Sequence, residues 1–133
     1  MGESPFPSPP VGAESEVFYA AAREGRFLVP RCSACGRAHW YPRSHCPFCD
    51  GAVAWEAASG AGTIYSFSVM RRAKPVTTIA YVTLAEGPTM LTSLIDCDVD
   101  ALRIGQAVTL RWAPTQDPAG PPVPCFTPTE GGA

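Results

Sequence analysis

The stretch from Arg31 to Gly51 carries two Cys-x-x-Cys pairs, Cys32 with Cys35 and Cys46 with Cys49, separated by ten residues. The two residues inside each pair let the backbone turn so that both thiolates face one ion. Gly36 follows the first pair directly and Gly51 follows the second by two residues. Glycine suits the left-handed or tight backbone that such a knuckle needs after its second sulfur. Two knuckles so close together predict a structural zinc ribbon with Cys32, Cys35, Cys46 and Cys49 as ligands. The gap is shorter than the roughly 15–20 residues of many ribbons, so the hairpin between them must be compact. His39 and His45 lie in that hairpin, and either could replace one sulfur. Iron is also chemically compatible with four thiolates, and would point to electron transfer.

The chain has 133 residues, enough for one compact domain with a small module attached. Apolar residues make up 46%, so a real core can form, but charged residues are only 17%, below the roughly 25% usual for soluble domains. Either Ala, Pro, Ser and Thr dilute the charges, or part of the surface is covered by a partner. The net charge of −2 lacks the basic excess that nucleic-acid binding normally requires. No apolar run approaches the roughly 20 residues of a membrane-spanning helix. The start, Met-Gly-Glu-Ser-Pro, has no basic segment and no apolar signal core. These features predict a cytoplasmic protein, a setting that favours metal ligation over disulfides for the clustered cysteines. Cys97 and Cys125 lie far from the cluster and read as small apolar residues.

The four prolines and two glycines of residues 1–13 predict a mobile or extended arm. A short helix is expected over 14–26, with Ser15 as N-cap and Gly25 as terminator. Phe18 and Tyr19 are adjacent and so cannot share one helix face, which leaves one ring free to meet something outside the local core. The ribbon is placed at 27–59. Strands are expected at Arg26–Arg31, Trp40–Arg43 and Val53–Ala57, with Trp40 and Trp55 beside the metal. Gly60-Ala61-Gly62 marks the boundary to a β domain over 60–128, followed by a tail at 129–133. Period-two patterns predict strands at 63–70, 78–85, 89–96 and 106–112, with a final short one near 123–126. In the first of these, Ile64, Phe67 and Val69 compete with Tyr65 for the core. A short helical turn is expected within 97–105, and Asp96, Asp98 and Asp100 read as its caps and solvated neighbours. The fold class is therefore all-β with a small α content: an N-terminal helix, a zinc ribbon and five short strands. Those five suit a Greek-key barrel of the OB type, although periodicity alone equally allows another small barrel or a sandwich.

Taken together, these residues resemble the family catalogued as domain of unknown function 35, in which a rubredoxin-like zinc ribbon is joined to an OB fold. The resemblance covers roughly residues 15–128. It rests on the Phe18-Tyr19 helix running to Gly25, on Leu28-Val29-Pro30-Arg31 before Cys32-Ser33-Ala34-Cys35-Gly36, and on Pro42-Arg43 before Cys46-Pro47-Phe48-Cys49. Gly60-Ala61-Gly62-Thr63-Ile64-Tyr65-Ser66 and Leu102-Arg103-Ile104-Gly105 complete it. The combination is specific, although no single piece is. The resemblance implies an accessory subunit in a hetero-oligomer with a thiolase-fold enzyme acting on acyl-CoA thioesters. Steroid side-chain aldolases similar to lipid-transfer-type thiolases are the preferred partners. Members can be free subunits or fused to hydratase-like domains, and this length suggests a free-standing form or an excised domain.

A catalytic constellation is not legible. Both histidines lie inside the ribbon hairpin, and there is no Gly-x-Ser-x-Gly elbow, no phosphate loop with its Lys, and no suggestively spaced acid pair. A stand-alone enzyme is not expected. Arg71, Arg72 and Lys74 fall in a predicted strand-to-strand loop. They read either as a solvated hairpin tip or as contacts to CoA phosphates or a partner, since a guanidinium fork matches phosphate oxygens. Phe18, Tyr19 and Phe126 are candidate partner contacts. For Phe126 the reason is that the proline-rich segment 114–128 could lie extended along another chain. Two rival readings stand. One is a nucleic-acid module with Tyr65, Phe67 and Tyr81 as stacking platforms, against which the charge counts. The other is a rubredoxin-like redox protein.

Overall fold

A computed structural model of the chain describes residues 6–117 and 119–129. The first element is a helix, α1 (Glu16–Arg23). Ser15 occupies the N-cap position, but its hydroxyl makes no cap bond and instead accepts from the Gly12 amide at 3.1 Å. The far end closes as the sequence predicts. Gly25 takes φ +76°, its amide donates to Ala22 O, and the Arg26 amide donates to Ala21 O. This double bond pattern satisfies carbonyls that the last turn would leave orphaned.

The ribbon contributes one antiparallel pair, β1 (Leu28–Cys32) with β2 (Val53–Ala57), in the register Leu28↔Ala57 to Cys32↔Val53. Arg31 and Glu56 form an ion pair across it at 2.8 Å. The strand expected at Trp40–Arg43 is absent. Only isolated bridges hold the hairpin there, Arg31↔Ala38 and His45↔Ala52. Pro42 supplies no amide hydrogen, and so few residues between knuckles leave no length for a ladder.

Five strands form the barrel: β3 (Ala61–Met70), β4 (Thr77–Leu84), β5 (Thr89–Leu94), β6 (Ala107–Ala113) and β7 (Val123–Pro128). They close in the order β3-β4-β5-β7-β6, antiparallel except for β5 against β7. That parallel contact is a single pair, Leu94↔Phe126. A 3₁₀ turn at Val99–Ala101 precedes β6, and the Asp98 carboxylate caps it by accepting from the Asp100 amide. Asp96 pairs with Arg111 and Asp100 with Arg71, so the three acids serve as cap and surface partners. The competition within β3 is settled by a register shift between Ile64 and Ser66. One extra residue there sends Tyr65 outward, 66% exposed, while Ile64 before it and Phe67 after it pack on the core.

Helix, ribbon and barrel share one core. Phe18, Phe27 and Val29 join Ile64, Val82, Met90, Val108 and Phe126 in a single buried cluster. Phe18 is its hub, with ring centroids 4.9 Å from Trp40, 5.0 Å from Tyr19 and 6.0 Å from Trp112. Phe18 and Phe126 are fully buried and Tyr19 nearly so, which corrects the expectation that they are surface contacts for a partner. The helix lies among other elements of its own chain and buries Phe18, Tyr19, Ala21 and Ala22, more than one stripe. Trp40 and Trp55 likewise pack on this shared core instead of supplying the ribbon with one of its own.

The final strand expected near 123–126 is present, and the proline-rich N-terminal arm is tied down where its composition predicts a mobile or extended segment. Segment 123–128 is barrel strand β7, and residues 6–8 of the arm are tied to the loop after β6. Phe6 O accepts from the Gln116 amide, while Ser8 Oγ donates to Thr115 Oγ1 at 3.0 Å and accepts from the Asp117 amide. The expected arm residues 1–5 and tail residues 130–133 lie outside the described residues. No helix among the described residues is long and apolar enough to cross a membrane.

Candidate metal centre

The four cysteines meet at the open end of β1 and β2. Their sulfurs all lie within 4.8 Å of one another, with Cys32 Sγ 3.4 Å from Cys49 Sγ and Cys35 Sγ 3.7 Å from Cys46 Sγ. A zinc tetrahedron with sulfur bonds of about 2.3 Å places its ligands about 3.8 Å apart, so the spacing fits one ion. His39 and His45 are not part of the cluster.

Each knuckle is built by its backbone. In the first, the Cys32 sulfur accepts from the amides of Ala34 and Cys35, both at 3.3 Å, and Gly36 N donates to Cys32 O. In the second, Phe48 N points to Cys46 Sγ at 3.4 Å and Asp50 N donates to Cys46 O. Gly36 has the expected left-handed backbone, φ +78°. At the second knuckle the left-handed residue is Asp50, at φ +63°, and not Gly51. Gly51 is needed for space: a Cβ there would lie 2.8 Å from Ala34 Cβ and 3.1 Å from Cys32 Sγ.

The amides of Cys35 and Ala34 hold the Cys32 thiol down to about 6, against the opposing effect of burial. The Gly51 amide acts the same way on Cys49, but neighbouring Cys32, Cys35 and Cys46, together with burial, push that thiol up to about 12. Thiols this close cannot all ionise without a cation among them, and Zn²⁺ supplies that charge. With four sulfurs bound, the tetrahedron is closed and has no position for a reactive water. The centre is a structural zinc site.

The other two cysteines lie outside the cluster, and their surroundings favour the protonated thiol. Burial pushes the Cys125 thiol up to about 12, and burial with Asp96 and Asp98 nearby raises Cys97. From the sequence, His39 is a rival ligand for the metal. It is instead buried at 3% exposure, and neither ring nitrogen has a partner among the described residues. Burial, and then the charge of Arg43, lower its pKa.

The cations Arg71, Arg72 and Lys74 sit exposed in the turn between β3 and β4. Arg71 pairs with Asp100 at 2.9 Å. Of the three aromatics considered for stacking, Tyr65 and Tyr81 are exposed on the barrel, whereas Phe67 packs against the core.

Two family models match in succession. Residues 20–56 match the ChsH2 rubredoxin-like zinc ribbon domain, and residues 55–113 match the ChsH2 C-terminal OB-fold domain. A protein of Thermomonospora curvata described as "Probable enoyl-CoA hydratase alpha subunit" is 30% identical over 113 residues, 80% of this chain and 35% of that one. A "DUF35 domain-containing scaffold protein" of Methanothermobacter thermautotrophicus is 32% identical over 88 residues, 60% of this chain and 66% of the relative. The chain thus spans about a third and about two thirds of the lengths of these relatives.

Among solved structures, a chain of an "Ltp2-ChsH2(DUF35) aldolase" superposes with a TM-score of 0.78 at 28% identity, over 90% of this chain and 98% of that one. A DUF35 protein from Sulfolobus solfataricus shares the fold, with a TM-score of 0.65 at 14% identity over 90% and 87% of the two chains. A closed five-stranded OB barrel, a four-cysteine knuckle pair and two adjoining domain matches place this chain in the ChsH2 (DUF35) family of rubredoxin-like zinc ribbons joined to OB folds.

Proposed function

We propose that this chain is a non-catalytic accessory subunit that binds and supports a thiolase-fold enzyme acting on acyl-CoA thioesters. The preferred reaction for that enzyme is retro-aldol cleavage of a steroid side-chain CoA thioester. The observation that carries this reading is the likeness to the ChsH2 (DUF35) chain of an aldolase complex, which extends over 98% of that chain. The word "scaffold" in the description of the second relative agrees with a supporting role. The metal centre agrees too, because a closed four-sulfur tetrahedron organises a fold and offers no Lewis-acid position. The zinc therefore fixes the ribbon against α1 and the barrel, and the assembled surface serves the partner. The setting is cytoplasmic, where a reducing pool keeps the four thiolates available to zinc.

Within the assembly, Arg71, Arg72 and Lys74 contact CoA phosphates or acidic groups of the partner. All three are exposed on one turn, and Arg71 would exchange its pairing with Asp100 for the new contact. Alanine at the three positions should slow acyl-CoA turnover by the complex; unchanged kinetics would remove this role.

The reading as a whole is tested by co-expression with the thiolase-fold protein encoded nearest to it, followed by size-exclusion with light scattering. A stable mixed complex, with the enzyme inactive or insoluble alone, is the expected result. A lone monomer that ignores thiolase-fold proteins would overturn it.

A further inference from the structure

None of the residues of β3, β4 and β5 is charged. An exposed sheet face normally carries Lys, Glu or Arg on its outward positions, where alternation places them in water. Here the outward positions form uncharged rows across the three strands. One runs Ser66–Tyr81–Leu91 and the next Ser68–Ile79–Ser93. Tyr81 is 47% exposed and Leu91 56%, and Tyr65 joins them from the bulge. Between the rows lies a dimple of about 130 Å³, flanked by Ile79, Tyr81 and Leu91. Strand β6 differs, since its Arg111 is exposed and paired with Asp96, whereas β7 is uncharged like β3–β5.

We infer that the outer face of β3–β4–β5 is the docking surface for the thiolase-fold partner, with Tyr81 and Leu91 at its centre. The inference rests on the accessory-subunit reading and deepens it. Protein interfaces lose charged residues at their centre and enrich Tyr, Met and Arg, with anchors set around small pockets. This face matches that description. Exposed Met70 and Val76 extend it towards the turn carrying Arg71, Arg72 and Lys74, which gives a cationic rim at one end only. The complementary surface is apolar at its centre and acidic beside that rim. The strand pair β4–β5 is also where OB folds generally receive ligands. A nucleic-acid strand would need cations along the groove itself, and these strands carry none.

The test uses the full chain and the thiolase-fold enzyme encoded nearest to it, with binding measured by titration and mass by light scattering. Leu91→Glu and the milder Leu91→Ser, together with Tyr81→Glu, are compared with Ile104→Glu. Ile104 is equally apolar and 70% exposed, but lies in the turn before β6. All three side chains replaced point to solvent, and thermal unfolding confirms that each of the four variants folds. The expected result is a loss of affinity of about tenfold or more for the variants at positions 81 and 91, and none for Ile104→Glu. If the wild type forms the complex and Leu91→Glu binds equally well, this face is wrong while the accessory reading stands. If the wild type forms no complex, both fail. A homodimer that Leu91→Glu dissolves, or single-stranded nucleic-acid binding that Tyr81→Glu abolishes, would assign the face to another occupant and overturn the inference.

Discussion

Gly51 passes so close to Ala34 that a methyl group on it would stand 2.8 Å from the Ala34 Cβ, with Cys49 Sγ 3.2 Å away. The second knuckle thus packs directly on the turn of the first, and the missing side chain is what lets the two close on one ion. Gly51→Ala should push the knuckles apart, weaken zinc retention and lower the melting temperature. Gly36→Ala is the comparison. It has open space but a left-handed backbone, φ +78°, so its cost is limited to roughly 1–2 kcal/mol of backbone strain. Zinc release to a chromogenic chelator should be faster for Gly51→Ala than for Gly36→Ala. Equal rates would mean that the hairpin absorbs the added methyl.

Zinc removal should act unevenly. In small fingers a structural zinc contributes on the order of 10 kcal/mol or more to folding. The hairpin between the knuckles forms no ladder here, with isolated bridges at Arg31↔Ala38 and His45↔Ala52. Cys35 and Cys49 are exposed, which gives a chelator access. Chelation should therefore unfold the knuckles and shift the emission of Trp40, which lies in the hairpin between them, while the barrel keeps its far-ultraviolet strand signal. Emission that stays constant while zinc leaves stoichiometrically would contradict this.

The contrast between those two regions follows what was legible in the sequence. The metal site was, because ligand spacing is a local property and two Cys-x-x-Cys pairs admit few arrangements. The barrel strands were legible too, since period two is local. Three things were not. The bulge at Tyr65 is set by pairing with β4, and pairing partners leave no local mark. The burial of Phe18, Tyr19 and Phe126 depends on helix, ribbon and barrel packing as one body, which adjacency along a helix cannot reveal. The anchoring of residues 6–8 in the N-terminal arm comes from long-range bonds such as Ser8 to Thr115. At Gly51 the spacing marks the right residue, but its role is space, and the left-handed turn falls on Asp50.

Phe18 is the test of the shared core. Its ring touches Tyr19, Phe27, Trp40 and Trp112, which belong to the helix, the ribbon and the barrel. Phe18→Ala should cost about 3–5 kcal/mol, and should loosen ribbon and barrel together. Val17→Ser on the exposed side of the same helix should stay within about 0.5 kcal/mol. Urea unfolding followed at tryptophan and by circular dichroism distinguishes the cases. Non-coincident transitions in the wild type would show that the parts fold separately and that Phe18 is no hub.

His39 makes the last prediction, and its sign follows from burial. The folded protein disfavours the charged imidazole, while the unfolded chain protonates at the ordinary value of about 6.5. Below that pH the unfolded state binds more protons, so stability is full above about pH 6.5. It declines as the pH falls towards the lowered folded value. The neutral ring carries a second cost at every pH, because two buried nitrogens lack partners. Such groups typically cost about 1–3 kcal/mol each. His39→Leu, of similar volume, should therefore stabilise the protein, and by more at about pH 5.5 than at about pH 7.5. Protonation of the zinc thiolates in acid is common to both proteins, so the difference between their unfolding free energies isolates the histidine. A gain that does not grow as the pH falls would mean that the folded protein accommodates the imidazolium.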